Sequence, residues 1–140
     1  MTVTITRTDD LTACMVIRTK VFVEEQSVPV ELERDEHDKT ALHLLATDSG
    51  QPVGTARIVL QGDTGKIGRV AVLAELRGTG LGRKLIEACV EELRGIPEVS
   101  QAKLGSQVSA IGFYEKLGFT AFGPEFDDAG IAHRMMSLPL

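Results

Sequence analysis

A glycine-spaced loop between basic side chains is the part of the sequence best suited to chemistry. Arg77 is followed by glycines at positions 78, 80 and 82, and Arg83 and Lys84 add two positive charges. Because glycine has no Cβ, several backbone N–H groups of such a loop can approach one ligand together. A helix beginning here would add unpaired N–H groups and the positive end of its dipole. A diphosphate is the ligand that fits this site.

The residues around the loop predict a strand before it and a helix after it. Positions 70–73 are a compact apolar run, typical of a buried strand, and apolar residues then recur with helical spacing at Leu81, Leu85, Cys89 and Leu93. The loop is not a Walker motif, because Arg-Lys-Leu follows its last glycine in place of Lys-Ser/Thr. It also lacks the glycine spacing of a dinucleotide-binding fingerprint.

Two motifs carry a resemblance to a known family. The run Arg-x-x-Gly-x-Gly after Val-Ala-Val resembles the pyrophosphate loop of the GCN5-related N-acetyltransferase (GNAT) superfamily, and Phe-Tyr-Glu-Lys-Leu-Gly-Phe at 113–119 resembles its helix beside the cofactor thiol. Positions 21–29, the acidic run after them and His43 are similar to the ElaA-like branch. The tail at 123–133 is similar to that of the glyphosate-type N-acetyltransferases.

The resemblance implies a fold and an activity. The expected fold is α/β, with a mixed central sheet of six to seven strands, splayed between strands 4 and 5 and flanked by about four helices. Residues 1–140 would form a single N-acetyltransferase domain. It would move the acetyl group of acetyl-CoA directly to a primary amine of a small-molecule acceptor in a ternary complex. The alternative is a catalytically inactive module that binds or senses acyl-CoA.

The resemblance also assigns residues. Tyr114 stands at the position of the general acid, where a phenol can give its proton to a thiolate. His133 stands at the position of the base in the glyphosate-type tail, a task suited to histidine at neutral pH. His43, Glu24 and Glu25 are the alternative bases. The N–H of Val72 would polarise the acyl carbonyl. Contacts to acetyl-CoA are predicted for Val70, Ala71, Val72, Arg77, Gly78, Thr79, Gly80, Leu81, Gly82, Arg83, Gln107 and Phe113. Contacts to the acceptor are predicted for Glu24, Glu25, His43 and Arg57.

Two features on the predicted acceptor side have more than one interpretation. The acidic run at 31–38 is either a solvated segment or a rim that attracts a cationic amine. Arg57 lies among apolar residues, where its charge needs a partner. It is either a handle for an anionic group of the acceptor or a member of a structural ion pair.

Composition limits the remaining possibilities. The 140 residues carry a formal net charge of −5, which argues against a nucleic-acid surface. No apolar run is long enough to span a membrane and no signal peptide is visible, so a cytoplasmic location is expected. Cys14 and Cys89 are expected to be reduced core thiols. No metal is predicted, and a homodimer is a possibility that the resemblance raises.

The remaining pattern predicts the order of the elements. Strands are expected at 2–7, 41–47, 53–60, 67–73, 99–104, 119–122 and 131–138, with the second to fourth in an antiparallel meander and the fifth parallel to the fourth. Helices are expected from Asp9 to about Glu25, from Leu81, and from an N-cap at Ser109 to a stop at Gly118.

Overall fold

The computed structural model describes residues 3–29, 33 and 35–140. Its strands are β1 (Val3–Thr8), β2 (Leu42–Asp48), β3 (Gln51–Gln61), β4 (Thr64–Val72), β5 (Gln101–Gln107), β6 (Thr120–Asp128) and β7 (Ile131–Pro139). Its α-helices are α1 (Leu11–Arg18), α2 (Leu81–Arg94) and α3 (Ile111–Glu115). The seven strands form one sheet in the order β1-β2-β3-β4-β5-β7-β6. The predicted mixed sheet is confirmed.

The first predicted helix has the predicted extent, but only its first part is an α-helix. Helix α1 begins after Asp10, whose side chain accepts a hydrogen bond from the N–H of Ala13 at 3.0 Å, as expected of an N-cap. After Arg18 the chain continues as a π-helix over Thr19–Glu25. The wider turns of a π-helix are common at functional sites, and this one lies beside the end of β4.

Strands β2, β3 and β4 form the predicted antiparallel meander. On one face of the sheet, helix α2 buries Leu85, Ile86 and Cys89 against the apolar residues of these strands. Helix α1 covers the opposite face over β2, β3 and β4. The main core lies under α2 and extends from β2 to the C-terminal strands, where Ala102, Leu104 and Met136 are buried.

The sheet opens between its two parallel strands. Strands β4 and β5 pair over only four positions, from Thr64 with Gln101 to Ile67 with Leu104. Beyond them, the β3–β4 register shifts, and Arg69 takes a left-handed φ of 48°. A bulge of this kind bends a strand and increases its twist. The predicted splay between strands 4 and 5 is therefore confirmed.

Two predictions for the C-terminal third need correction. Ser109 is not an N-cap, because it lies within a 3₁₀ turn, Val108–Ala110, and Ala110 precedes α3 with no side-chain cap. Strand β6 runs well past the predicted end at 122, with a register shift around Pro124. An edge strand tolerates proline because one side of its backbone has no ladder to complete.

No helix in the described part of the chain is long and apolar enough to cross a membrane.

Candidate active site

The glycine loop forms an open cradle at the start of α2. Gly78 and Gly80 have φ values of 82° and 87°, a region where other residues are strained. The first backbone hydrogen bond of the helix runs from the N–H of Lys84 to the carbonyl of Gly80 at 3.1 Å. The N–H groups at 81–83 therefore have no partner within the helix. A Cβ built on Gly82 would meet nothing within 4 Å. The cradle has the room and the donors that a diphosphate needs.

Arg77 connects this loop to the π-helix. Its Nε donates to the carbonyl of Val72 at 3.2 Å, and its Nη2 lies 2.5 Å from a carboxylate oxygen of Glu25. Both charged side chains are partly exposed, so the pair is weak by the usual measure of surface ion pairs. The contact places the predicted acceptor residue Glu25 next to the predicted cofactor residue Arg77.

A cleft of about 700 Å³ follows the fork between β4 and β5. Its floor includes Gly68, Val70 and Val72 of β4 and Gln107 of β5. The π-helix and the segment after it, including Phe22, Gln26 and Val28, form one wall, and the β6–β7 hairpin forms the other. Predicted site residues that line the cleft are Arg57, Val70, Val72, Arg77, Gln107, Tyr114 and His133.

Tyr114 is held by aromatic packing at the edge of the cleft. Its ring centroid lies 5.0 Å from that of Phe113 and 6.1 Å from that of Phe119, both in edge-to-face geometry. Burial raises the pKa of the Tyr114 phenol above its ordinary value, and nearby Cys89 adds to the rise. The phenol therefore keeps its proton throughout the neutral range. That is the state a general acid requires.

His133 lies in β7, opposite Gln107 of β5, and is largely buried. Its Nδ1 lies 2.7 Å from the carbonyl oxygen of Ile131. A carbonyl only accepts, so Nδ1 must carry the proton, and the neutral ring keeps its lone pair at Nε2. The ring stacks on Phe126 with 5.7 Å between centroids. The histidine is thus fixed in a tautomer able to take a proton at Nε2.

The acidic segment forms ion pairs with arginines beside the cleft. Fully buried Arg18 contacts Glu33 at 2.5 Å and Asp38 at 2.7 Å, while Arg57 contacts Asp35 at 2.6 Å and Asp38 at 3.2 Å. Of the two interpretations of Arg57, the structure shows the ion pair. These three carboxylates are neutralised, so they do not form a free acidic rim.

The network also changes the protonation behaviour of its carboxylates. Burial alone would raise the pKa of Asp38, but hydrogen bonds from Arg18, the Asp35 backbone N–H and Arg57, together with the charge of Arg18, lower it to about 2. The pKa of Asp35 is also lowered, because Arg57 and Arg69 outweigh the effect of its burial. Both carboxylates are therefore ionised at neutral pH, and neither is available as a base.

Several predicted site residues lie outside the cleft. Ala71 is buried against Ile17 of α1, so only its backbone could reach a cofactor. His43 lines a separate, smaller cavity and donates through Nε2 to the carbonyl of Asp38 at 3.0 Å. Glu24 is exposed on the π-helix. The predicted acceptor contacts of His43 and Glu24 are not supported by this placement.

The two cysteines are buried free thiols, as expected. Burial raises the pKa of Cys89 to about 12 and also raises that of Cys14. Since the thiolate is the reactive form, neither is suited to be a nucleophile.

Sequence reasoning missed residues that the fold brings to the cleft. Phe126 was placed in no element, yet it pairs with His133 across β6 and β7. Glu33 and Arg69 also line the cleft. Besides Arg57, the arginine at position 18, on the apolar face of a helix, was a sequence signal for the buried network, because such a charge needs an acidic partner.

A mixed sheet that is forked between two parallel strands, with a glycine loop after the first of them and a cleft along the fork, defines the class of acyl-CoA N-acyltransferases. The profile of the acetyltransferase (GNAT) domain matches residues 7–140, and the chain belongs to this family. A Bacillus subtilis (strain 168) protein that carries an acetyltransferase name is 41% identical over 136 residues, covering 95% of this chain and 92% of that protein.

Solved structures agree with this assignment. The crystal structure of Escherichia coli ElaA superposes with a TM-score of 0.87 at 26% identity, over 98% of this chain and 99% of ElaA. An acyl-CoA N-acyltransferase from Pseudomonas aeruginosa gives 0.86 at 27% identity, over 98% of each chain. The predicted likeness to the ElaA branch is thereby confirmed.

Proposed function

We propose that this chain transfers the acetyl group of acetyl-CoA directly to a primary amine of a small-molecule acceptor, within a ternary complex. The unit that does so would be residues 1–140, as one N-acetyltransferase domain. The supporting observation is the fork between β4 and β5, along which runs a cleft lined by Arg77, Tyr114 and His133.

The cofactor side of the proposal rests on the loop and the fork. The free N–H groups at 81–83 and the positive end of α2 would hold the pyrophosphate. Past Ile67 no β5 partner meets β4, so the extended pantetheine arm has backbone groups available to pair with, the N–H of Val72 among them. Acetyl-CoA would supply the activated acyl group as a substrate, and Gln107 would face its arm.

His133 would act on the acceptor amine. An ammonium ion cannot attack a carbonyl, so the amine must lose a proton before or while its C–N bond forms. The Nε2 lone pair of His133 is available for that proton, because Nδ1–H is held by the carbonyl of Ile131. The hydrogen bond would also stabilise the charged ring that results.

Tyr114 would act on the departing sulfur. When the C–S bond breaks, the thiolate needs a proton, and a phenol kept protonated by burial can donate it. The proton that His133 gains then returns to solvent and Tyr114 regains one, so no covalent enzyme intermediate is needed.

The proposal is tested by mixing the protein with acetyl-CoA and a panel of amines while following free thiol and acetylated product. We expect stoichiometric thiol and N-acetyl amine with at least one class of primary amine. The competing function is an acyl-CoA sensor without catalysis. Saturable binding of acetyl-CoA with no thiol release across a broad panel would support the sensor and contradict our proposal.

A further inference from the structure

Some charged side chains along the cleft form ion pairs within the protein and others do not. Glu33, Arg57, Arg69 and Arg77 all line it and all form ion pairs with other protein groups. Within the described residues, the other Asp, Glu, Lys and Arg side chains that line it are Lys66 and Asp128, and no ion pair is formed by either. These two charges are available to a ligand.

Lys66 has a second unusual feature. It lies directly opposite Lys103 in the β4–β5 ladder, where like charges destabilise a sheet. The Lys103 ammonium rests over the ring of Phe122, 5.5 Å from its centroid. In a chain with a net charge of −5, this pair of lysines concentrates positive charge at the closed end of the fork. An anionic ligand would relieve the repulsion.

Asp128 lies at the other end of the cleft. It is two residues past Phe126, the cross-strand partner of His133. A carboxylate at this place attracts an ammonium group toward the base. The cleft is therefore polarised, with a negative side chain near His133 and a positive one at its far end.

The register of the sheet gives the distance between the two ends. His133 pairs with Gln107, and Lys66 pairs with Lys103, four residues earlier on the same strand. At about 3.3 Å per residue, the two rows are roughly 13 Å apart along the strands. Lys66 and His133 are also two strands apart, which adds roughly 10 Å across the sheet at about 4.8 Å per strand, so their backbone positions are about 16 Å apart. The flexible lysine stem can shorten the span by up to roughly 6 Å. A ligand that touches both ends must be elongated.

Two glycines lie on the floor between the two ends. Gly68 and Gly105 directly follow the last β4–β5 pair, Ile67 with Leu104. A Cβ on Gly68 would meet nothing within 4 Å, and one on Gly105 would first meet the ring of Phe126 at 3.5 Å. The groove above these glycines is open, with apolar walls that include Val59 and Met135.

We infer that the acceptor is an elongated zwitterion, with its primary amine at His133 and an anionic group, of the carboxylate class, at Lys66. The amine and the anion are separated by roughly 10–16 Å of largely apolar chain. An α-amino acid is too short to reach both ends, because its amine and carboxylate are attached to one carbon. This inference rests on the proposed acetyl transfer and names its substrate class.

The test compares acceptors that differ in their distal charge or in their length. Initial rates of thiol release from acetyl-CoA give kcat/KM for 8-aminooctanoate, octylamine and glycine with the native protein. We expect the ratio of 8-aminooctanoate to octylamine to be about ten or more, and glycine to be the poorest acceptor. In Lys66→Gln the ratio should fall about tenfold. Lys39→Gln, a lysine outside the cleft, should keep the native ratio.

Thermal melting of both variants checks that each is folded. Because the readout is a ratio of kcat/KM values for two acceptors, a partial loss of active protein lowers both values equally and leaves the ratio unchanged. A native ratio near one, or a ratio unchanged in Lys66→Gln, would overturn the inference and leave acetyl transfer intact. Failure of every amine, octylamine included, would instead refute the proposed function and the inference with it.

Discussion

Replacing Gly82 with valine is expected to weaken binding of coenzyme A without weakening the fold. Gly82 is the second residue of α2, and a Cβ there would meet no protein atom within 4 Å. Valine also has a better helix propensity than glycine by a few tenths of a kcal/mol. The new side chain would instead occupy space in the diphosphate cradle.

The size of the effect follows from the hydrogen bonds at risk. A bond from a backbone N–H to a charged group contributes about 1.5–3 kcal/mol. Displacing the diphosphate from one such donor should therefore raise Kd about 10- to 100-fold, at about 1.4 kcal/mol per tenfold change.

The same substitution at Gly95 is the matched control. Gly95 is the C-cap of the same helix, has a right-handed φ of −79°, and its Cβ would lie at ordinary contact distances of 3.5 Å or more. Calorimetric titration with coenzyme A should give native affinity for Gly95→Val and weakened affinity for Gly82→Val. The melting temperature of Gly82→Val should not fall below that of the native protein. Equal affinity of Gly82→Val and native protein would refute the assignment of the loop.

Three further predictions concern other residues. His133→Ala should lower kcat most at about pH 7 and recover much of the loss at high pH, where more acceptor is unprotonated; a wild-type pH–rate profile would remove His133 from the mechanism. Tyr114→Phe should keep the melting temperature, because the aromatic packing remains, and should lower kcat about 10²- to 10⁴-fold; native turnover would exclude the phenol as the acid. The pKa of Asp38 is about 2 in the folded chain and about 3.9 in the unfolded chain. The stability that the Asp38 carboxylate gives to the fold is therefore complete above about pH 4 and is lost as pH falls toward about 2. Asp38→Asn should remove about 3–5 kcal/mol of unfolding free energy at neutral pH in urea titrations, and a loss under 1 kcal/mol would contradict the buried network.

The strand pattern was predictable because it depends on local signals, whereas the fork was expected only from the resemblance to the family. Apolar runs, turn residues and helical spacing located seven strands, and the family motifs at the glycine loop implied the splay. The end of β6 was missed because Gly123 and Pro124 are typical of a break, whereas an edge strand accommodates them as a bulge. Ser109 was misassigned because the short 3₁₀ turn before α3 moves the start of the helix.

The acceptor side could be predicted only in part, because its residues come from distant segments. Whether Arg57 was free or paired could not be decided without knowing that Asp35 and Asp38 fold against it. The stacking of Phe126 on His133 depends on the register of two strands, which no residue of either strand fixes alone. The opposition of Lys66 and Lys103 likewise exists only once β4 and β5 are paired.

A crystal structure of the protein with bound coenzyme A is the most direct test of where the thioester lies. We expect the pyrophosphate on the N–H groups at 81–83, the pantetheine arm along the free edge of β4, and the sulfur within hydrogen-bond reach of the Tyr114 hydroxyl. Coenzyme A bound outside the fork, or a sulfur remote from both Tyr114 and His133, would contradict the mechanism.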